Sequence, residues 1–384
     1  MVWLALRMLV GDPVKYLGIL FGVVFATLLM SQQVAIFVGI LKRTASQILD
    51  VHDADIWVMD RATRFIDEAP MLPDQELYRV RSVEGVESAV KLAYGQLGAR
   101  LPDGGAFRTV TLLGLDDSSL LGAPSKMVLG ELKALREPDA VLVDRLGYGF
   151  LFPGQPMVLG KEFEINERRG RIVGICEASQ PFTSMPILFA RYSQAARYFP
   201  PSRNLVNFLL VRAKPGFDLG PICRAIEAAS LQGPRPLAAY TRKEFAWKTV
   251  EFYLESTGIP VNFGITISLG FIVGLAITGQ TFYLFTMENL RQFGSLKAMG
   301  VDNWRIVGMI LLQGLVAGAI GYGIGIGLTA VFFEATSGVP ALTGLGMFPG
   351  LLLGIAGTIL AIVVLSSLLS IRKVLFLEPA MVFR

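Results

Sequence analysis

"ENLRQFGSLKAMGVDNWRIVG", residues 288–308, is a charged, sharply broken stretch between two of the most apolar runs in the chain. Leu290, Phe293, Leu296 and Met299 recur every three residues, which predicts a helix over 289–299, continuing from the run before it and carrying a drifting apolar stripe. Arg291, Gln292 and Ser295 fall on its other faces. Gly300 supplies the left-handed residue that ends the helix, with Val301 placed for the accompanying hydrophobic contact. Asp302 is the expected N-cap of the next helix, "NWRIVGMILLQGL". The reading is a helix, a tight corner and a second helix. Such an elbow can lie on lipid headgroups or dock its stripe into a partner's groove, and composition leaves both open.

The flanking runs belong to a wider pattern. Of 384 residues, 53% are hydrophobic and 17% charged, and the mean hydropathy is +0.54. That is too apolar for an ordinary soluble chain and too polar for a bundle that is membrane throughout. Residues 16–41, 256–287, 306–333 and 335–371 contain no charged side chain, and about 20 apolar residues suffice to cross a bilayer. The last window holds Pro340 and Pro349, so its crossing begins near Pro349, a residue suited to a first helical turn. The first run exceeds the usual signal-peptide core of about 7–15 residues and is expected to stay in place.

The fold class that follows is an α+β integral membrane protein. It has four transmembrane helices and a large mixed α/β extracytoplasmic domain between helices one and two. The expected division is an amphipathic N-terminal segment (1–15), spans at 16–41, 256–287, 306–333 and 349–371, the outer domain at 42–255, the elbow at 288–305, a short outer loop at 334–348 and a tail at 372–384. Arg7 and Lys15, then Arg291, Lys297 and Arg305, then Arg372, Lys373 and Arg384 lie on one side, whereas 334–348 is without Lys or Arg past Glu334. The positive-inside rule makes that side the cytoplasm.

Small residues mark the spans. Gly270 and Gly274, Gly318, Gly321 and Gly325, and Gly350 and Gly354 place glycines three or four apart, which lets helices approach closely in lipid and suits packing that includes a partner copy. Ser31, Gln32 and Gln33 are polar at membrane depth and either bond a neighbouring helix, the favoured reading, or line a path. No span carries a central Asp, Glu, Lys or Arg, so the relay of an ion-coupled carrier is missing.

In the outer segment, "ADIWVM", "FRTVTLLGL", "AVLVD", "GQPMVLG", "RIVGICE" and "NFLLVRA" read as strands, separated by turns such as "PDGG" at 102–105 and "FPGQP" at 152–156. Helices are expected at 74–82, with Asp74 as N-cap, at 219–230 and at 241–255. The last is expected to run stiffly into the second span.

Several functions are excluded or disfavoured. Net charge is +4 with no dense Lys/Arg cluster, which argues against nucleic acid. Two cysteines, Cys176 and Cys223, and one histidine, His52, form no zinc pattern. Two buried thiols is the favoured reading, with pairing open. Asp53, Asp55, Asp60, Asp67 and Glu68 near His52 read as a solvated cluster rather than an acid–base set. Neither GxSxG nor GxxxxGK[ST] occurs, so no catalytic residue, cofactor-binding residue or metal ligand is assigned.

Residues 288–328 resemble the FtsX/MacB-type (type VII) ABC permease signature, with Glu288, Arg291, Leu296, Lys297, Ala298, Gly300, Gln313 and Gly321 on its pattern. "LALRMLVGDPVKYLGILFGVVFATLLMSQQVAIF", "DADIWVM" and the closing "EPAMVFR" resemble the DevC-like branch, Gly11-Asp12-Pro13 standing where that family tends to be basic. The resemblance implies a non-enzymatic permease subunit working as a homodimer with a separate cytoplasmic ATPase that binds ATP and Mg. Its helices would transmit motion to the outer domain. A periplasmic adaptor and an outer-membrane channel would join it in exporting lipid-like or amphipathic cargo from the inner membrane. Leu290, Arg291, Phe293, Lys297 and Met299 are the expected ATPase contacts, and Gly300 and Asp302 set the corner. A signal transducer that activates an outer enzyme, and a lipoprotein-release permease, are the alternatives.

Overall fold

The computed structural model describes residues 2–101, 107–183, 185–200, 205–231, 233–339 and 342–375. The PDGG turn, Pro340, Arg384 and the closing EPAMVFR lie outside them. Along the chain come helices α1 (Val2–Gly11), α2 (Pro13–Thr44) and α3 (Ser46–Asp50), strands β1 (Ile56–Asp60) and β2 (Leu72–Pro73), and α4 (Glu76–Arg81). Next are β3 (Val86–Arg100), β4 (Phe107–Leu115), β5 (Lys126–Gly130), a 3₁₀ turn at Leu132–Arg136, β6 (Ala140–Asp144), α5 (Arg145–Leu151), β7 (Glu162–Ile165), β8 (Arg168–Glu177) and β9 (Ile187–Arg191). Then follow α6 (Tyr192–Tyr198), β10 (Leu205–Val206), β11 (Phe208–Ala213), α7 (Leu219–Ser230), β12 (Leu237–Thr241), α8 (Arg242–Ser256), α9 (Ile259–Glu288), α10 (Leu290–Ala298), α11 (Asn303–Ala335) and α12 (Pro349–Leu375). The chain forms a helical unit, up to Gly39 and from Gly258 onward, and an α/β unit, Ile40–Thr257.

In the helical unit α2, α9, α11 and α12 are each long and apolar enough to cross a membrane. Glycines bring them together within the one chain. A methyl group on Gly270 would sit 2.6 Å from Leu29 of α2, one on Gly321 2.7 Å from Val23, and one on Gly318 2.7 Å from Val363 of α12. Gly274 and Gly325 face Ala26 and Thr27 of α2 in the same way. These five glycines therefore pack against the chain's own spans. Ser31 meets Thr329 of α11, hydroxyl to hydroxyl, at 2.6 Å.

The α/β unit is built on a ten-stranded sheet in the order β12-β1-β11-β3-β4-β9-β6-β8-β5, with β7 pairing both β3 and β8. That double pairing closes β3-β4-β9-β6-β8-β7 into a ring, and β11, β1 and β12 extend from β3 as an open wing. Alternation sorts the wing's side chains. Ile56, Val58, Leu209 and Val211 pack with Ile222 and Ile226 of α7, whereas Trp57, Phe208 and Leu210 pack with Ile48 of α3 and Phe245 of α8. Trp57 meets Phe208 edge-on at 5.3 Å.

Five expected strands appear as β1, β4, β6, β8 and β11, but GQPMVLG is an exposed loop. Pro156 has no N–H to give a ladder, and Tyr148 holds the loop instead, donating to the Pro156 carbonyl (2.9 Å) and accepting from Val158 N (3.0 Å). The longest strand, β3, goes unread because Ala, Gly and Lys interrupt its alternation. Helix α4 starts after Gln75, not Asp74; the Asp74 carboxylate is drawn to Lys91 at 3.0 Å. Nor does α8 run on into α9. Its Thr241 capping box opens it well, but Thr257 (φ −119°, ψ 155°) is extended and breaks the helix before Gly258.

Candidate functional site: the elbow between the second and third spans

Three local features shape the elbow. Asn289 (φ −88°, ψ 9°) interrupts the helix after α9, and its Nδ2 donates back to the Phe285 carbonyl at 2.8 Å. Helix α10 is therefore a separate nine-residue element, not a continuation of the second span. At its far end Gly300 has φ +86°. Gly300 N donates to Lys297 O and Val301 N to Leu296 O, both at 3.1 Å. Those are the two bonds of a Schellman ending, which spare the last carbonyls from being orphaned. Asp302 occupies the N-cap position of α11, but its carboxylate makes no capping bond; its main-chain carbonyl takes Arg305 N at 3.0 Å. The corner thus rests on Gly300 more than on the Asp302 side chain.

Burial divides the expected contact residues. Phe293 is 1% exposed and packs, with Leu296, in a cluster drawn from Ala5 and Leu9 of α1, Ile19 of α2, Phe285 of α9 and Met309 of α11. This corrects Phe293's place on the docking face. Its whole ring is removed from the surface, and the burial of such a side chain contributes about 1.5–3 kcal/mol. Leu290 is partly buried beside the same cluster, and Lys297 is half-buried. Arg291 and Met299 remain exposed, Met299 at 72%. Trp304, in the first turn of α11, is 79% exposed. A large aromatic directly after a helix corner was the sequence signal for it.

Helix α1 completes the site. Gln313 of α11, fully buried, donates from Nε2 to the Ala5 carbonyl at 2.8 Å. Lys15 joins Asp12 (2.6 Å) and Glu288, which ties the entry of α2 to the end of α9. The hydrogen bonds from Lys15 hold the Asp12 carboxyl below its ordinary value. That gives a structural task to Asp12, where the resembled family tends to be basic, and to Glu288 of the signature.

Elsewhere the residues weighed for chemistry have structural partners. Asp53 accepts from Gly122 N, Asp55 from Ala213 N and Asp67 from the Tyr94 hydroxyl, and Arg64 holds Glu68. Cys176 and Cys223 are buried and unpaired; burial pushes both thiols up, Cys223 to about 12. Among the described residues no group of three His, Cys, Asp or Glu is placed to hold a metal ion.

A four-span helical unit with an α/β domain inserted after the first span, and an elbow built into its helix ends, is the plan of a membrane permease. The family profile for the MacB-like periplasmic core domain matches residues 16–229, and that for the FtsX-like permease C-terminal matches 264–379. The chain belongs to the FtsX/MacB-type permeases of ABC transporters. It is similar to an uncharacterized ABC transporter permease of Mycobacterium tuberculosis, 24% identical over 343 residues that cover 88% of this chain and 87% of that one. An uncharacterized ABC transporter permease of Methanocaldococcus jannaschii is 22% identical over 81% of this chain and 78% of its own. Among solved structures, the periplasmic region of MacB from Actinobacillus actinomycetemcomitans aligns at 14% identity with a TM-score of 0.39, covering 55% of this chain and 96% of that one.

Proposed function

We propose that this permease is the membrane subunit of an export system and that its elbow receives the motion of a separate ATPase, in which ATP and Mg are bound. The carrying observation is the build of α10. Phe293 and Leu296 lock it into the apolar cluster shared by α1, α2, α9 and α11, while Arg291 and Met299 stay on its surface. A push on those exposed residues is delivered to the spans through packed side chains, because packed cores move as units. In this reading Arg291, Met299, Lys297 and the edge of Leu290 meet the ATPase, with Trp304 beside them. The termini and elbow are cytoplasmic, as the Lys/Arg distribution favours. The protein works as a homodimer in the inner membrane, and the DevC-like ends support a periplasmic adaptor, an outer-membrane channel and amphipathic cargo.

The test is gentle purification of the tagged protein from its native membranes, with mass spectrometry of its companions. An ATPase together with a periplasmic adaptor is the expected result. An ATPase with a cell-wall hydrolase and no adaptor would replace export by signal transduction, and lipoproteins as the bound companion would replace it by lipoprotein release. No ATPase, even after mild cross-linking, would remove the docking role of the elbow.

A further inference from the structure

The α/β unit holds a cleft of about 630 Å³, within the range of roughly 300–1,000 Å³ usual for small-ligand sites. Its deep lining is apolar: Val51 at the end of α3, Leu113 of β4, and Ile187 and Phe189 of β9, each under 5% exposed. The polar groups around it are mostly committed to one another. Gln47 donates to Ser179 O at 3.1 Å, and both Asp50 carboxylate oxygens accept from Ser179, its N at 2.7 Å and its Oγ at 2.8 Å. Lys126 and Glu177 pair at 2.9 Å, and His52 Nδ1 lies 3.3 Å from Arg242. Arg145 differs. It lines the cleft and is exposed, and among the described residues it makes neither a hydrogen bond nor an ion pair.

An open guanidinium beside an apolar recess, where the neighbouring carboxylates already have partners, selects one ligand type. We propose that this cleft binds an amphipathic carboxylate, a medium-chain fatty acid or its like. The head engages Arg145 through two parallel N–H···O bonds, and the hydrocarbon lies on Leu113, Ile187 and Phe189. The head supplies orientation and the chain supplies the apolar contact, about fourfold in affinity for each methylene buried. As a cargo site the cleft rests on the export reading; as a binding site it does not.

The experiment is photolabelling of the full chain in lipid nanodiscs with a diazirine-bearing dodecanoate and with the matching alcohol, followed by mass-spectrometric mapping. The expected result is carboxylate-dependent label on the segments holding Leu113 and Ile187–Phe189, competed by excess dodecanoate. It should fall about tenfold in Arg145→Gln and also in Ser125→Trp, which plugs the cleft from an exposed lining position without changing charge. Label confined to the membrane spans, equal label from the alcohol, or label unchanged in both variants would overturn the proposal. No ATP or partner is needed. A failed labelling therefore removes the cleft alone, and a missing ATPase in the purification removes the coupling alone.

Discussion

Asp144 in the α/β unit and Gln313 in the helical unit are both fully buried polar side chains, and they are held in opposite ways. Asp144 accepts three hydrogen bonds, from Ile187 N (2.7 Å), Gly147 N (2.9 Å) and Gln180 Nε2 (2.9 Å), fastening β6, α5 and β9 at one carboxylate. Gln313 makes one bond to Ala5, and its Oε1 has no partner among the described residues, like the hydroxyls of Thr278, Ser366 and Ser367 in neighbouring spans. Both units keep a few buried polar atoms without a described partner, Trp57 Nε1 and Thr249 Oγ1 among those of the α/β unit. The contrast therefore lies in how Asp144 and Gln313 are tied, one by a network of bonds and the other by a single bond within a seat set by shape. The outer domain is stapled by polar contacts. The spans are held by apolar packing and by glycines that let helices touch.

The hardest strike at this contrast is Asp144→Ala. It orphans three buried donors and should destabilise the α/β unit by about 3 kcal/mol or more, read as a fall in its unfolding temperature and in its resistance to protease. A silent Asp144→Ala would mean that the network adds nothing to shape. On the other side, Gly321→Leu drives a side chain into Val23 and should cost about 1–3 kcal/mol by overpacking, seen as a lower melting temperature in nanodiscs. Gly300→Val strains the positive φ at the corner with no clash to blame, since nothing lies within 4 Å of a Cβ there. The cost is about 1–2 kcal/mol, and ATP hydrolysis should lose its coupling to transport. Gly300→Asn, which tolerates that region, should restore it, and normal transport in the valine variant would remove the corner from the mechanism. Gln313→Met keeps the volume and loses one bond, so about 1 kcal/mol or less is expected. A drop as large as that of Asp144→Ala would erase the contrast.

The smallest effect concerns Asp67. Burial pushes its carboxyl above the ordinary 3.8, and the Tyr94 hydroxyl opposes that only in part. A raised folded-state value means that stabilisation by proton uptake is complete below pH 3.8 and is lost as pH rises through the raised value. Asp67→Asn should therefore flatten the pH profile of thermal stability across that window. An unchanged profile would assign the dependence to another group.

Legibility in the sequence followed the range of the forces involved. β1, β4, β6 and β11 could be read because short β-branched or apolar runs mark them, whereas β3 and β9 could not, being strands only through the neighbours they pair with. At the elbow the corner was legible and the exposed face was not. A stripe of apolar residues says that something will cover it, not whether the cover is a partner or the chain's own α1.

The four apolar helices, the inserted α/β domain and the glycine corner were determined by the sequence alone. Backbone groups in lipid must be satisfied within one helix, and a positive φ is demanded of one residue, so both requirements are local and leave local marks. Tertiary structure alone decided that Phe293 is core, that Gln313 seats a helix 308 residues away along the chain, that both cysteines stay unpaired, that β7 closes a ring, and that Arg145 stands open beside an apolar cleft. Each depends on which distant residues come to share one place, and that is settled by the burial of whole surfaces rather than by any short stretch of chain.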